Sequence, residues 1–487
     1  MTPPDGTLVA QLVQEMRGRI SARTLGPGTR LPSIRAQAAA RGVSKTTVVE
    51  AYDRLAAEGV VESRRGSGFY VAGHPPPFSL AATGPKLDRE VDPLWVSRQS
   101  LETPDDALKP GCGWLPSSWM PEASLRRALR VQARADVAAL TDYGNPLGLA
   151  PLREHLARRL GGFGVPAVPG QILLVDSGTQ AVDLLCRFLL EPGVAVLVVV
   201  RCYFKFRALL RAHRARVVSV PYTPTGPDIA AFAQVLEEQK PRLYITNCGV
   251  HNPTGASLSP VTAHRVLKLA EQHQLTIIED DIFADFEAEP SPRLAAFDGL
   301  ERVVQAGSFS KTVSASLRCG YIAARADWIE GLTDLKIASS FSSGRLSAEL
   351  LLTVLQDGFY RKHVEALRAK LAGAMSQANA RLRAVGLTPW VIPRAGMYLW
   401  CELPAGLDAA EIARHALEEG IVLAPGNVFS PAQTAERFLR FNVAQCTDPR
   451  IFQMLDSTIS RAARGAAQSS APHARKTPLA IRPGAPM

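Results

Sequence analysis

Residues 303–318 read VVQAGSFSKTVSASLR, and this stretch decides the fold. Val303 and Val304 open a short apolar run, fit for a strand buried on both faces. Small residues follow, then Ser308-Phe309-Ser310-Lys311, with Arg318 seven positions beyond the lysine. A strand that ends in hydroxyls, an amine and an arginine puts anion-binding groups at the carboxyl edge of a sheet. Open α/β sheets bind their ligands at that edge.

The same signature recurs outward along the chain. Ile172 to Val175, Val194 to Val200, Leu243 to Ile245 and Thr276 to Ile278 are apolar runs of strand length. Helical patterns lie between them, for example Ala181 to Leu190 and Val261 to His273. Strands alternating with helices imply an α/β domain with a mostly parallel sheet. Other candidate residues fall at strand ends: Asp280 in IIEDD, the turn Ser177-Gly178-Thr179, and Tyr203.

Composition sets the frame. The 487 residues are 46% hydrophobic and 21% charged, which suits a globular chain of more than one domain. The longest aliphatic run, Val194 to Val200, is far too short to span a bilayer, so no membrane partner is expected. The start, MTPPDGTLVAQLVQ, lacks the basic-then-apolar pattern of a secretory signal. Seven cysteines stand singly with no C-x-x-C pair, which argues for reduced thiols in the cytoplasm and against a metal site. Net charge is +10; the first 73 residues hold ten Lys/Arg against six Asp/Glu, an excess compatible with DNA or with an ordinary solvated surface.

Composition changes divide the chain into a compact periodic segment (1–73), a linker (74–107) with Pro75-Pro76-Pro77 at its start, an α/β domain (108–463) and an acid-free tail (464–487) expected to be disordered. In the first segment, residues 31–59 read LPSIRAQAAARGVSKTTVVEAYDRLAAEG. This predicts two short helices joined at Arg41-Gly42-Val43, with Ser44 as N-cap of the second. Val48, Tyr52 and Leu55 form its core stripe, with Val49 and Ala56 beside them. Lys45, Thr46 and Thr47 open the other face, where a recognition helix meets base edges and phosphates. VVESRRGSGFYV, residues 60–71, then reads as a two-stranded wing around Gly66-Ser67-Gly68.

LPS-x-R, GVS-x-x-TV and R-x-GSG together resemble the winged helix-turn-helix of GntR-type regulators. The resemblance implies a double-stranded DNA operator as partner, contacted by Arg35, Lys45, Thr46, Thr47 and Arg65, with Ser44 and Gly66 near phosphates. A lysine on a helix surface is more often simply solvated, and Thr47 also suits a half-core position.

The large domain offers what pyridoxal 5'-phosphate requires. Lys311 supplies an amine for an aldimine. Asp280 supplies a buried carboxylate for the pyridine nitrogen; either Asp280 or Asp281 could instead cap the next element. Ser177, Gly178 and Thr179 at a helix start, with Ser308 and Arg318, form a phosphate cup. Tyr203 can cover the ring, or pack as ordinary core, and Asn252 in HNPTG can donate to the ring's phenolic oxygen. Arg440 in RFLRFNVA suits a substrate carboxylate, or equally a salt bridge.

These residues, with PRAGMYLW and VLAPGNVF, resemble fold-type I aminotransferases. The fused order resembles MocR/GabR-type regulators over almost the whole chain. That implies a head-to-tail homodimer that senses the cofactor, a small amine or an amino acid; an active aminotransferase with an accessory DNA reader is the competing expectation. Two departures stand out. Related pockets place a tyrosine shortly after the first aspartate, where this chain has Ile282 and Phe283. They also carry acidic residues and proline before the stacking ring, where this chain has Val199-Val200-Arg201-Cys202.

Overall fold

The computed structural model describes residues 7–21, 25, 28–64, 66–72, 94–104 and 106–469, with side chains through 461. They fall in two compact units, Met1–Leu87 and Asp88–Met487.

The first unit packs α1 (Leu8–Ser21), α2 (Ile34–Arg41) and α3 (Lys45–Ala57) against a hairpin of β1 (Val61–Arg64) and β2 (Gly68–Val71). Ser33 caps α2 by accepting from the Ala36 N–H, and Ser44 caps α3 by accepting from the Thr47 N–H. Gly42 ends α2 in the left-handed region (φ 64°), where a side chain would be strained. Val48, Tyr52 and Leu55 are fully buried with Leu12, Met16 and Val61. Val49, expected beside that stripe, lies instead on the exposed face.

Among the described residues the second unit opens with α4 (Trp95–Glu102). Its central sheet contains β3 (Ile172–Val175), β4 (Ala195–Val199) and β5 (Arg216–Val220); a small hairpin, β6 (Tyr222–Thr223) with β7 (Gly226–Pro227), follows. The remaining strands are β8 (Leu243–Thr246), β9 (Thr276–Asp280), β10 (Val303–Ser308) and β11 (Gly320–Ala323). The order is β3-β11-β10-β9-β8-β4-β5, parallel except for β11, which runs against both neighbours. Every residue of β3, β4 and β8 is buried, as strands covered by helices on both faces must be. A second sheet joins β12 (Thr388–Pro389), β13 (Tyr398–Glu402), β14 (Ala424–Pro425) and β15 (Phe438–Asn442), all antiparallel, in the order β12-β13-β15-β14.

Two boundary expectations need correction. The linker expected over 74–107 contains α4, because Val96 and Ser100 are buried against the second unit. The last helix, Pro449–Ser469, runs past the boundary expected at 463, and the remainder of the expected tail lies outside the described residues. Among the described residues no helix is long and apolar enough to cross a membrane. All seven cysteines are free and buried.

Candidate functional site

One cavity of about 580 Å³ gathers the residues read from strand ends. Lys311, Asp280, Tyr203, Ser177, Gly178, Thr179, Ser308 and Arg318 all line it. They arrive from four places. Asp280 ends β9, Ser308 ends β10, Tyr203 starts the helix Phe204–Ala212, and Ser177 caps the helix Gly178–Leu189. Glycine permits this convergence: a Cβ at Gly320 would lie 2.8 Å from the Gly307 oxygen and 3.0 Å from the Gly178 nitrogen.

The Lys311 ammonium donates to the Gly113 carbonyl at 2.6 Å. Burial, then the ammonium of Lys205, pulls its pKa down to about 8. A free amine is therefore accessible near neutral pH, which a nucleophilic lysine requires. Burial pushes Asp280 up to about 7, although its Oδ1 accepts from the Ile282 N–H. Its neighbour Asp281 faces elsewhere and accepts from Arg293 at 3.1 and 3.2 Å and from Gln305 at 2.9 Å. The two aspartates are thus divided, one at the cavity and one in a buried ion network with Arg293 and Glu287.

Four cationic side chains, Lys109, Lys205, Lys311 and Arg318, share the cavity with one carboxyl group, Asp280. The Ser177 hydroxyl takes the Gln180 N–H, so the amides of Gly178 and Thr179 head the helix toward the same space. An excess of cations beside a helix N-terminus fits an anionic group such as a phosphate ester. The residues present therefore fit pyridoxal phosphate. Bound there, it would have Lys311 as the amine for its aldehyde, Asp280 as the carboxyl for its ring nitrogen, and the 177–179 turn with Ser308 and Arg318 as groups for its phosphate.

Asn252 and Arg440 do not line the cavity. Both are buried, and Arg440 on β15 donates to the Asn252 Oδ1 at 2.9 Å and to the Gly111 carbonyl at 2.7 Å. Its guanidinium lies over the rings of Tyr398 (4.2 Å) and Phe429 (4.7 Å). This bond occupies the Asn252 oxygen and leaves the amide N–H groups as the end able to donate. Ile282 lines the cavity, while Phe283 is buried edge-on to Tyr398. Arg201 adopts φ 71°, a backbone that proline cannot take, and its guanidinium stacks on Trp390 and Phe438 at 4.9 Å each. The turn before Tyr203 is therefore built differently from a proline turn.

Several lining residues carried no sequence signal. Lys109 and Lys205 were not singled out in the sequence, and Ser97 and Ser100 belong to a helix that was not expected.

In the first unit, Arg35, Lys45 and Thr46 are exposed. Thr47 is half-buried and its hydroxyl pairs with Ser44 at 2.8 Å, so the cap engages it. Gly66 takes φ 78° at the wing tip, and Arg64 stacks on Tyr70 at 4.5 Å. Arg65 lies outside the described residues.

The first unit is thus a winged helix-turn-helix, and the second an α/β body whose cavity gathers an amine, a buried carboxyl and a cationic cup. Residues 116–457 match the model of aminotransferase class I and II, and residues 8–71 match that of the bacterial regulatory proteins of the gntR family. The chain belongs to the aminotransferase class I and II family, in its MocR-type fusion with a gntR-family reader. It is 30% identical over 442 residues to the uncharacterized HTH-type transcriptional regulator YdcR of Escherichia coli, covering 89% of this chain and 94% of that protein. It is 25% identical over 422 residues to the HTH-type transcriptional regulator NorG of Staphylococcus aureus, covering 84% and 94%. Among solved structures it is similar to LysN, an alpha-aminoadipate aminotransferase of Thermus thermophilus complexed with N-(5'-phosphopyridoxyl)-L-leucine. That match has a TM-score of 0.69 and 26% identity and covers 80% of this chain and 98% of that one.

Proposed function

We propose that this protein is a DNA-binding transcription regulator whose aminotransferase-like unit binds pyridoxal phosphate and senses it, a small amine or an amino acid. The carrying observation is the cavity itself. It joins an amine of lowered basicity, Lys311, a buried carboxyl, Asp280, and a cationic cup beside a helix N-terminus. The phosphopyridoxyl group in the related LysN structure supports the same cofactor here.

When bound, pyridoxal phosphate supplies an aldehyde that condenses with primary amines. This chain's residues supply the rest of the site. Lys311 holds its proton weakly, Tyr203 gives an aromatic face, and Arg440 keeps Asn252 oriented. Asp280 favours a protonated ring nitrogen, since burial makes its own charge costly despite the hydrogen bond it accepts from Ile282. Phe283 brings no hydroxyl to the site, which favours sensing over rapid turnover. A ligand shifts DNA binding only if it binds one conformation more tightly than the other.

In this reading Arg35, Lys45, Thr46, Thr47 and Arg65 contact a double-stranded operator, with Ser44 and Gly66 at phosphates. The protein works in the cytoplasm as a head-to-tail homodimer. The test is direct. Purified protein with pyridoxal phosphate is expected to gain visible absorbance and retain specific genomic fragments, and Lys311→Ala to lose the absorbance. A colourless wild-type protein would remove the sensor reading, and failure to retain any fragment would remove the regulator reading.

A further inference from the structure

Lys311 is held from two sides. Its ammonium meets the Gly113 carbonyl at 2.6 Å, while the turn that carries it is fastened from behind by side chains that do not line the cavity. Thr312 is 1% exposed, and its hydroxyl donates to Asp285 Oδ2 at 3.2 Å. The Tyr360 hydroxyl donates to the same oxygen at 2.8 Å, and Arg159 donates to Oδ1 at 2.5 Å. His363 Nε2 donates to the Thr312 carbonyl at 2.8 Å. Arg159 also lies over the Phe309 ring at 5.4 Å, just ahead of the lysine. These groups come from separate parts of the chain. Arg159 belongs to the helix Ala150–Gly162, Tyr360 and His363 to the helix Phe359–Ala384, and Asp285 to the turn Ala284–Phe286. That turn follows the end of β9, where Asp280 stands. One carboxylate thus ties the strand end that bears Asp280 to the turn that bears Lys311.

Stability alone does not account for this arrangement. A buried ion pair roughly repays its own desolvation, and apolar side chains of similar volume would hold the fold as well. What a fully satisfied buried network adds is rigidity. Burial pushes Asp285 up, but Arg159 outweighs it and holds the carboxyl below its ordinary value, so the charge is kept. We propose that Asp285, acting through the Thr312 hydroxyl, is a positioning residue that sets the Lys311 amine at its working distance from Asp280. The inference rests on the cofactor reading above. An aldehyde and a ring nitrogen on one rigid molecule demand an amine and a carboxyl at a fixed spacing, and misplacing one of them by about 1 Å can cost about a hundredfold in rate.

The test uses full-length, cofactor-free protein. Thr312→Val is nearly isosteric and removes the hydroxyl; Thr312→Ser keeps it. Uptake of pyridoxal phosphate is followed by stopped-flow absorbance from about pH 6 to about pH 10. Thr312→Val is expected to lower the high-pH plateau of the rate about tenfold and to leave the midpoint near 8, because burial and Lys205 set the basicity of the amine. Thr312→Ser is expected to restore the plateau. Tyr360→Phe, which takes one donor from Asp285, is expected to lower it too, and carries the test should Thr312→Val fail to fold. Acetylation of Lys311 by acetic anhydride, read by mass spectrometry, needs no alignment and is expected to run equally fast in all of these proteins. An unchanged plateau in Thr312→Val or Tyr360→Phe, or a plateau that serine does not restore, would overturn the inference. So would a midpoint that climbs toward the ordinary lysine value with faster acetylation, the mark of a pocket merely opened to water. Failure of the wild type to take up pyridoxal phosphate would instead overturn the parent reading.

Discussion

Replacing Asp280 with Asn tests the electrostatics of the cavity. The side chains are nearly the same size, so packing is kept and only the ionisable group is lost. In the cofactor-free fold, burial raises this carboxyl from 3.8 to about 7. A group whose folded pKa is raised contributes stability that is full below its unfolded pKa and is lost as pH rises through the folded one. Asp280 should therefore weaken the cofactor-free protein progressively between about pH 4 and about pH 7. Three units correspond to at most about 4 kcal/mol, and water entry and relaxation reduce this to roughly 1–2 kcal/mol. Urea unfolding of cofactor-free wild type and Asp280→Asn at about pH 5 and about pH 8 reads this difference. The variant is expected to gain on the wild type by that amount at the higher pH. Pyridoxal phosphate should reverse the order, because an ionised Asp280 then has a ring nitrogen to pair with. A difference between the two proteins that does not change with pH would refute the reasoning.

Three further outcomes follow from the same geometry. The rate at which the protein takes up pyridoxal phosphate should rise about tenfold per pH unit below about 8 and level off above, following the free amine of Lys311, as read by stopped-flow absorbance. Arg293→Met should cost about 3–5 kcal/mol in denaturant unfolding, because it strands the buried carboxylates of Asp281 and Glu287. Lys45→Ala should weaken DNA binding and lower the slope of log affinity against log salt by about one, measured by fluorescence anisotropy, if its ammonium meets a phosphate.

Much of the second unit was legible because buried parallel strands leave uninterrupted apolar runs. Ile172–Val175 and Leu243–Ile245 were read within a residue of their observed limits. Two strands of the same sheet left no such mark. Arg216–Val220 is an edge strand with a charged first residue, and Gly320–Ala323 is a four-residue antiparallel insert. Glycine at 320 looks like a turn in sequence, but three-dimensional packing makes it the contact between two strands and a helix start. Within the site, strand-end residues were readable because strand direction determines where they emerge. Arg440 was also singled out, but its engagement with Asn252 and Gly111 depends on partners 188 and 329 residues away. Ser100 gave no signal at all, since a serine on a short amphipathic helix is ordinarily solvated and only the cavity reveals its burial.

The central claim is that the pyridoxal phosphate pocket and the reader act as one regulator. Footprinting on DNA upstream of neighbouring genes, with and without pyridoxal phosphate and amino acids, tests it most directly in wild type and Lys311→Ala. The expected result is a protected operator whose affinity or extent changes with ligand in the wild type and not in the variant. Identical footprints from both proteins under every condition would contradict the account.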